Sequence, residues 1–289
     1  YELVRSDYYE FGTKQGDCCR KYHNLFPSLS FNITPGDLDI QISYDRSVQR
    51  PYYDQLNNNV GFITRYSYET GNPLLKPSYI DDFCINLVYG DFSFMADYMV
   101  NHDYIYDSYT MYGDNSQVSL VKPDNYGKFN SFQSTVAYSP TFGLYRPNLS
   151  ASLFWQDMSI VFCGNNKIFD SPSGYVMFSN LFDFPKKTTL NVSFNYSTPG
   201  DDELGWVDEN FACNFEFSKG FGNWTVAFVC DDVFGTENHR FNLYGNVRKC
   251  TIEKNYDTRK IELSVRYQLN PAKSKYKGTG AGNDEKQRM

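Results

Sequence analysis

Period-two alternation of apolar and polar residues runs through almost the whole chain, and it leaves room for little besides β-sheet. In Lys260 to Leu269, the set Ile261, Leu263, Val265, Tyr267 and Leu269 alternates with Glu262, Ser264, Arg266 and Gln268. One face of such a strand is apolar and the other wet. The same reading holds for Leu190, Val192, Phe194 and Tyr196, and for Leu38, Ile40, Ile42 and Tyr44. It recurs in Phe92 to Tyr98, Leu149 to Trp155 and Phe211 to Phe217. Aromatic residues make up 18% of the chain, with 25 Tyr, 24 Phe and 3 Trp, and such side chains fit pleated surfaces. The longest apolar stretch, around Val226 to Cys230, is far short of the roughly 18 residues of a membrane-spanning helix.

Segmentation gives about twelve strands, near 1–10, 22–33, 38–47, 76–89, 92–106, 126–138, 147–161, 172–183, 187–198, 207–218, 223–234 and 259–270. Their connections alternate in size. ITPGD, YGD, SPTFGLYRP, DFPKK and SKGFGN are short, whereas 11–21, 48–75, 107–125, 162–171, 199–206 and 235–258 are longer and polar. A sandwich has no reason to gather its short turns at one end of the strands and its long loops at the other. An outer-membrane barrel does so as a rule, and several strands reach the roughly 10 residues that a tilted crossing needs. The expected fold is therefore an all-β, antiparallel transmembrane β-barrel with a polar lumen. Tyr44, Tyr89, Tyr98, Tyr138, Trp155, Tyr196 and Trp224 are its candidate interfacial girdles. The rival is a soluble extracellular β-sandwich that binds carbohydrate or protein, its apolar faces packed against a second sheet.

Charge and motifs narrow the chemistry. A net charge of -7 and a pI near 5.0 argue against nucleic acid, whose phosphates need a basic footprint. The seven cysteines, Cys18, Cys19, Cys84, Cys163, Cys213, Cys230 and Cys250, show neither zinc spacing nor a disulfide framework. His23, His102 and His239 have no nucleophile motif near them, so no triad is expected. The acidic runs at Asp81-Asp82, Asp201-Asp202-Glu203 and Asp231-Asp232 lack calcium-loop spacing and read as solvated loop charge. A glycosidase on a β scaffold would need two carboxylates about 5 to 10 Å apart in a cleft, which spacing along a chain does not test. The expectation is a protein that is not an enzyme and uses no cofactor.

Particular residues add a resemblance. The stretch LFPSLSFNITPGDLDIQISYDRSVQRPYYDQL, Leu25 to Leu56, carries Arg50 and Pro51. It is followed by GNPLLKP, with Gly71, Asn72 and Pro73. The C-terminus LNPAKSKYKGTGAGNDEKQRM carries Lys273, Lys275, Tyr276, Lys277, Gly278, Gly280, Gly282 and Asn283. Together these resemble the Bacteroidetes outer membrane β-barrel family, built like TonB-dependent receptors. The resemblance implies a barrel of about twenty-two strands around an N-terminal plug. At about 22 residues per strand and connection, twenty-two strands need roughly 500 residues, more than the 289 here. The expectation is the C-terminal half of such a barrel, strands and loops over 1–270 and a periplasmic tail over 271–289; a small closed twelve-strand barrel is the structural alternative.

Expected partners are outer-membrane lipid, the plug and remaining strands of the parent chain and, through the missing N-terminal part, TonB. The expected activity is ligand uptake across the Gram-negative outer membrane. Loops 48–75 and 107–125, with Tyr52, Tyr53, Tyr66, Tyr68, Tyr104, Tyr106, Tyr109 and Tyr112, are the expected first contact surface. Arg50 and Pro51 are expected to be structural, Pro51 closing its ladder, and Gly71 is expected to supply a positive φ.

Overall fold

The computed structural model describes residues 2–10, 13–113, 115–237, 239–246, 248–254 and 257–269. These form twenty strands: β1 (Glu2–Glu10), β2 (Thr13–Tyr22), β3 (Ser28–Ile33), β4 (Leu38–Gln49), β5 (Gly61–Thr64), β6 (Ser67–Glu69), β7 (Ser78–Tyr89), β8 (Phe92–Tyr112), β9 (Asn115–Tyr138), β10 (Tyr145–Phe162), β11 (Asn165–Phe169), β12 (Ser173–Phe184), β13 (Thr188–Ser197), β14 (Gly200–Asp202), β15 (Gly205–Val207), β16 (Asn210–Phe221), β17 (Trp224–Asp231), β18 (His239–Tyr244), β19 (Lys249–Lys254) and β20 (Lys260–Tyr267). The main path is an antiparallel meander in the order β3-β4-β7-β8-β9-β10-β12-β13-β16-β17-β20, eleven strands joined in sequence order. The β1-β2 hairpin makes a separate sheet. Among the described residues the meander is not closed, and β3 and β20 are its two ends.

Register carries the apolar residues of successive strands onto one face. Phe31 pairs with Ile42, Ile42 with Ile85, and Ile85 with Ala96. Farther along, Phe217 pairs with Phe228, and Phe228 with Leu263. These rows are exposed: Phe31 is 65% accessible, Ile85 41% and Leu263 69%. Among the described residues no second sheet covers them, so the sandwich arrangement is not what the chain adopts. The other face is polar and knits itself sideways. Thr135 and Ser152 hydroxyls meet at 2.9 Å, Ser179 donates to Asn191 Oδ1 at 2.8 Å, and Thr189 and Ser218 meet at 2.7 Å. Apolar outside and polar inside is the arrangement lipid selects, since only the outward face meets hydrocarbon.

Rings mark the short-turn end of this face. Tyr89, Phe92, Tyr138, Tyr145, Phe221 and Trp224 flank the short turns, and Trp224 packs on Tyr267 of the last strand with centroids 4.6 Å apart. Tyr79 sits ten residues above Tyr89 on β7. At about 3.3 Å per residue and a tilt of about 40°, that separation is about 25 Å of height, the thickness of an apolar band.

The structure departs from the expected segmentation on the long-loop side. Residues 11–21, expected as a loop, hold most of β2, which pairs with β1 from Glu2↔Tyr22 to Glu10↔Thr13. Its sequence, TKQGDCCRKY, lacks an apolar face, so alternation could not reveal it. Residues 107–125 were likewise expected as a loop, but β8 and β9 stay paired to Met111↔Ser119 and Tyr112↔Asn115. Beyond the lipid a strand needs no greasy side, and a polar ladder is stable in water. The polar stretches 162–171, 199–206 and 235–258 also contain short strands. β11 pairs with β10, and β14-β15-β18-β19 form a four-stranded sheet. Among the described side chains, Cys84, Cys213, Cys230 and Cys250 are free thiols.

Candidate ligand-facing surface

Conventional burial begins only above the band. Phe129, Met158, Ile160, Phe169 and Leu204 form the buried apolar cluster, with Tyr104, Tyr106, Tyr109, Tyr126, Leu243 and Tyr244 packed against it. The inward-facing Met158 and Ile160 of β10 run past the membrane and meet the small sheets there. The polar centre of this packing is Gln156, fully buried. Its Nε2 donates to the Glu203 carbonyl and its Oε1 accepts from the Glu203 N–H, each at 2.8 Å. The Tyr104 hydroxyl donates to the Glu203 carboxylate, and burial followed by that bond pushes the phenol's pKa up. Gln156→Ala should leave both backbone groups of Glu203 without their partner, at about 1 kcal/mol each. Amide hydrogen exchange checks this: the Glu203 N–H should lose protection while the β12-β13 ladder keeps its own.

The second structured corner is the GNPLLKP turn. Gly71 N–H donates to the Asn57 carbonyl at 2.8 Å and Asn72 N–H to the Gln55 carbonyl at 2.6 Å. The buried Asn72 side chain donates to the Pro123 carbonyl at 3.1 Å and accepts from the Leu74 N–H at 3.1 Å. The Arg20 guanidinium of β2 donates to the carbonyls of Leu74 and Leu75, which ties the first hairpin to this turn. Gly71 does not have the expected positive φ. Its requirement is space, because the carbonyls of Asp54, Gln55 and Asn57 crowd the point where a Cβ would stand. Pro73 follows in the same turn, half-buried, and the chain then enters β7. Arg50 and Pro51 stand just past the end of β4. Lys273, Lys275, Tyr276, Lys277, Gly278, Gly280, Gly282 and Asn283 lie outside the described residues.

Two cavities open beside these corners. One, of about 470 Å³, lies between loop 50–77 and β8-β9; Asp54, Gln55, Asn57, Glu69 and Asp107 line it. The other, of about 350 Å³, is bounded by Asp107, Tyr109, Asp202, Glu203, Phe241 and Ile252. Asp107 belongs to both. Burial, and then the nearby Glu69 carboxylate, hold its pKa above the ordinary carboxylate value; burial alone does the same for Asp202. Acidic groups gathered around these cavities suit a ligand that brings hydrogen-bond donors or positive charge.

The expected tyrosine surface divides. Tyr52, Tyr53 and Tyr66 are exposed at 66%, 94% and 55%, open to a ligand. Tyr104, Tyr106 and Tyr109 instead pack on the buried cluster, so burial takes them out of the contact surface. Tyr68 stacks on Tyr112 with centroids 4.7 Å apart. The sequence reading did not single out Gln156, Glu69 or Asp107. Strand alternation places Gln156 at an inward position of β10 between Phe154 and Met158, but only its contact with Glu203 sets it apart from other lumen residues.

The family model described as the outer membrane protein beta-barrel family matches residues 1–267. No curated protein sequence matches the chain. Among solved structures the chain is similar to the ferric enterobactin receptor of Pseudomonas aeruginosa. One mutant of it, in complex with enterobactin, is 13% identical over 78% of this chain and 36% of the receptor, with a TM-score of 0.47. A second mutant is 12% identical over 76% of this chain and 35% of the receptor, again with a TM-score of 0.47. The chain thus spans little more than a third of the length of these receptors.

Proposed function

Because the chain belongs to the outer membrane protein beta-barrel family and so resides in the cell outer membrane, we propose that it forms part of the barrel and outer vestibule of a TonB-dependent-receptor-like protein that takes up a ligand. The observation that carries the reading is the continuity of the polar inner face with the acidic cavities above it. The Thr135, Ser152, Ser179 and Asn191 side of the sheet leads upward to the walls that hold Asp107, Glu69 and Glu203. A ligand caught there already stands at the mouth of a hydrophilic path. Such a protein binds and moves its ligand and breaks no bond in it.

The two ends of the meander supply the partner argument. Neither β3 nor β20 has a partner along its outer edge within the main path. Each unsatisfied backbone group in hydrocarbon costs several kcal/mol, so further strands of the parent chain complete the wall. In the same reading a plug fills the lumen, TonB couples it to energy, and 271–289 is a periplasmic tail.

Uptake is tested in cells with and without the parent protein, using fluorescently labelled oligosaccharides, short cationic peptides and ferric chelates. Support is uptake of one of these classes that needs the protein and stops when the inner-membrane proton gradient is dissipated. Uptake that persists without the gradient would point to a passive pore, and equal uptake without the protein would discard the transport reading.

A further inference from the structure

Strand β5 is an unguarded edge above the membrane. Among the described residues it pairs only with β6, which runs parallel to β9 beside Ser119, Leu120 and Val121, above the level of Tyr79 and so in water. The far side of β5 therefore presents its backbone N–H and C=O groups to no other described strand. Three other edge strands of the outer region carry charge, which discourages added strands: Lys167 on β11, Asp201 and Asp202 on β14, and Lys249 and Glu253 on β19. The sequence of β5 is Gly-Phe-Ile-Thr, with no charge at all. Phe62 is 69% exposed, and Ile63 and the preceding Val60 are exposed as well. An apolar, uncharged edge in water is a template for pairing with another chain.

The two faces of the β5-β6 hairpin differ, and the difference fixes the chemistry of a guest. Phe62 pairs with Tyr68 and meets its ring edge-on at 5.8 Å, so that face is aromatic. On the other face Gly61 pairs with Glu69, and the Glu69 carboxylate leans over it, with Oε1 3.2 Å from the point where a Cβ would stand. Because Gly61 has no side chain, the exposed Glu69 carboxylate is open to a residue arriving on the β5 side. Gly61 and Glu69 also belong to the wall of the larger cavity, with Asp54 and Asp107, and that lining holds no Lys or Arg. Two flanking cations are turned elsewhere. Lys122 stands between the lining residues Val121 and Pro123 and so points to the other face of β9, and the Arg65 guanidinium lies over the Tyr66 ring at 5.6 Å. We infer that β5 receives an extended peptide as an added strand, with basic side chains toward Glu69 and the cavity and apolar or aromatic ones beside Phe62. Main-chain pairing holds such a guest, and the alternate side chains select it. The inference rests on the reading of this cavity as ligand-facing and names the class of ligand it takes.

The test titrates a fluorescein-labelled hexapeptide of alternating lysine and tyrosine with the full parent protein in phosphatidylcholine nanodiscs and reads fluorescence anisotropy. The peptide should bind about tenfold more tightly than the same peptide N-methylated at alternate amides, the scale of two lost main-chain hydrogen bonds. Exchanging its lysines for glutamate should cost about tenfold as well, and Glu69→Gln in the protein should cost about tenfold for the lysine peptide alone, the scale of one hydrogen bond to a charged group. No binding of the lysine peptide would overturn the inference outright. Equal binding of the N-methylated peptide would overturn strand addition and leave bare electrostatic attraction, and binding unchanged by Glu69→Gln would overturn the placement at β5. The result separates from the transport reading. Gradient-driven uptake of another ligand class without peptide binding would overturn this inference alone, whereas peptide binding without gradient-driven uptake would support it and count against transport.

Discussion

Phe194→Arg should cost the protein about 2 to 4 kcal/mol of folding stability in vesicles, whereas Ser193→Arg, one residue away, should cost under about 1 kcal/mol. The difference comes from direction alone. Phe194, itself exposed, pairs with Phe178 on one side and Cys213 on the other and stands on the apolar face that meets hydrocarbon. Ser193 pairs with Ser179 and Asn214 and turns to the polar face. A guanidinium at the first position has to leave water or drag water into the bilayer. At the second it joins hydroxyl and amide groups beside an aqueous path. Urea titration of the parent protein folded into vesicles reads both values. Equal costs for the two variants would mean that the faces are assigned the wrong way round, and the membrane reading of the sheet would fall with them.

That contrast also shows why the membrane part of the fold was legible in the sequence. Lipid on one side and water on the other impose a strict period of two, so Leu190 to Tyr196 and Ile261 to Tyr267 announce their strands and their faces together. Above the bilayer the constraint lifts. The upper halves of β8 and β9 are wetted on all sides that the buried cluster does not cover. Their residues, including Asp107, Lys122 and Pro123, read as loop because no face has to be greasy. Strand β2 is missed for the same reason. Gln156 was hidden differently: a polar residue on the inner face looks like any lumen residue, and only a chain segment 47 positions away, Glu203, makes it the centre of a buried network. Gly71 lacks the positive φ expected of it and is crowded instead. A glycine in a Gly-Asn-Pro turn suggests a left-handed backbone, but crowding by a loop some fifteen residues earlier cannot be seen in local sequence.

The crowding at Gly71 sets the second large expectation. A methyl group there would stand 2.7 Å from the Asp54 carbonyl and 2.6 Å from that of Gln55, and nearer still to that of Asn57. All three obstacles are backbone, so no rotamer change relieves the clash; the two chain segments have to separate. Separation breaks the 2.8 Å bond from Gly71 to Asn57 and the 2.6 Å bond from Asn72 to Gln55, and it pulls Asn72 from the Pro123 carbonyl. Overpacking of this kind costs about 1 to 3 kcal/mol, and with the lost hydrogen bonds the corner should lose about 3 kcal/mol or more. Gly36→Ala is the informative comparison. It has a positive φ of 66° and nothing within 4 Å of its would-be Cβ, so it should cost only the left-handed backbone penalty of about 1 to 2 kcal/mol and leave the upper corner unchanged. Limited proteolysis separates the two. Gly71→Ala should open cleavage between Asp54 and Val60, on the wall of the larger acidic cavity, while the membrane strands stay protected. If Gly71→Ala resists protease as the parent does, the three carbonyls are not holding the turn against loop 50–77, and the cavity between them and Asp107 would not be a preformed one.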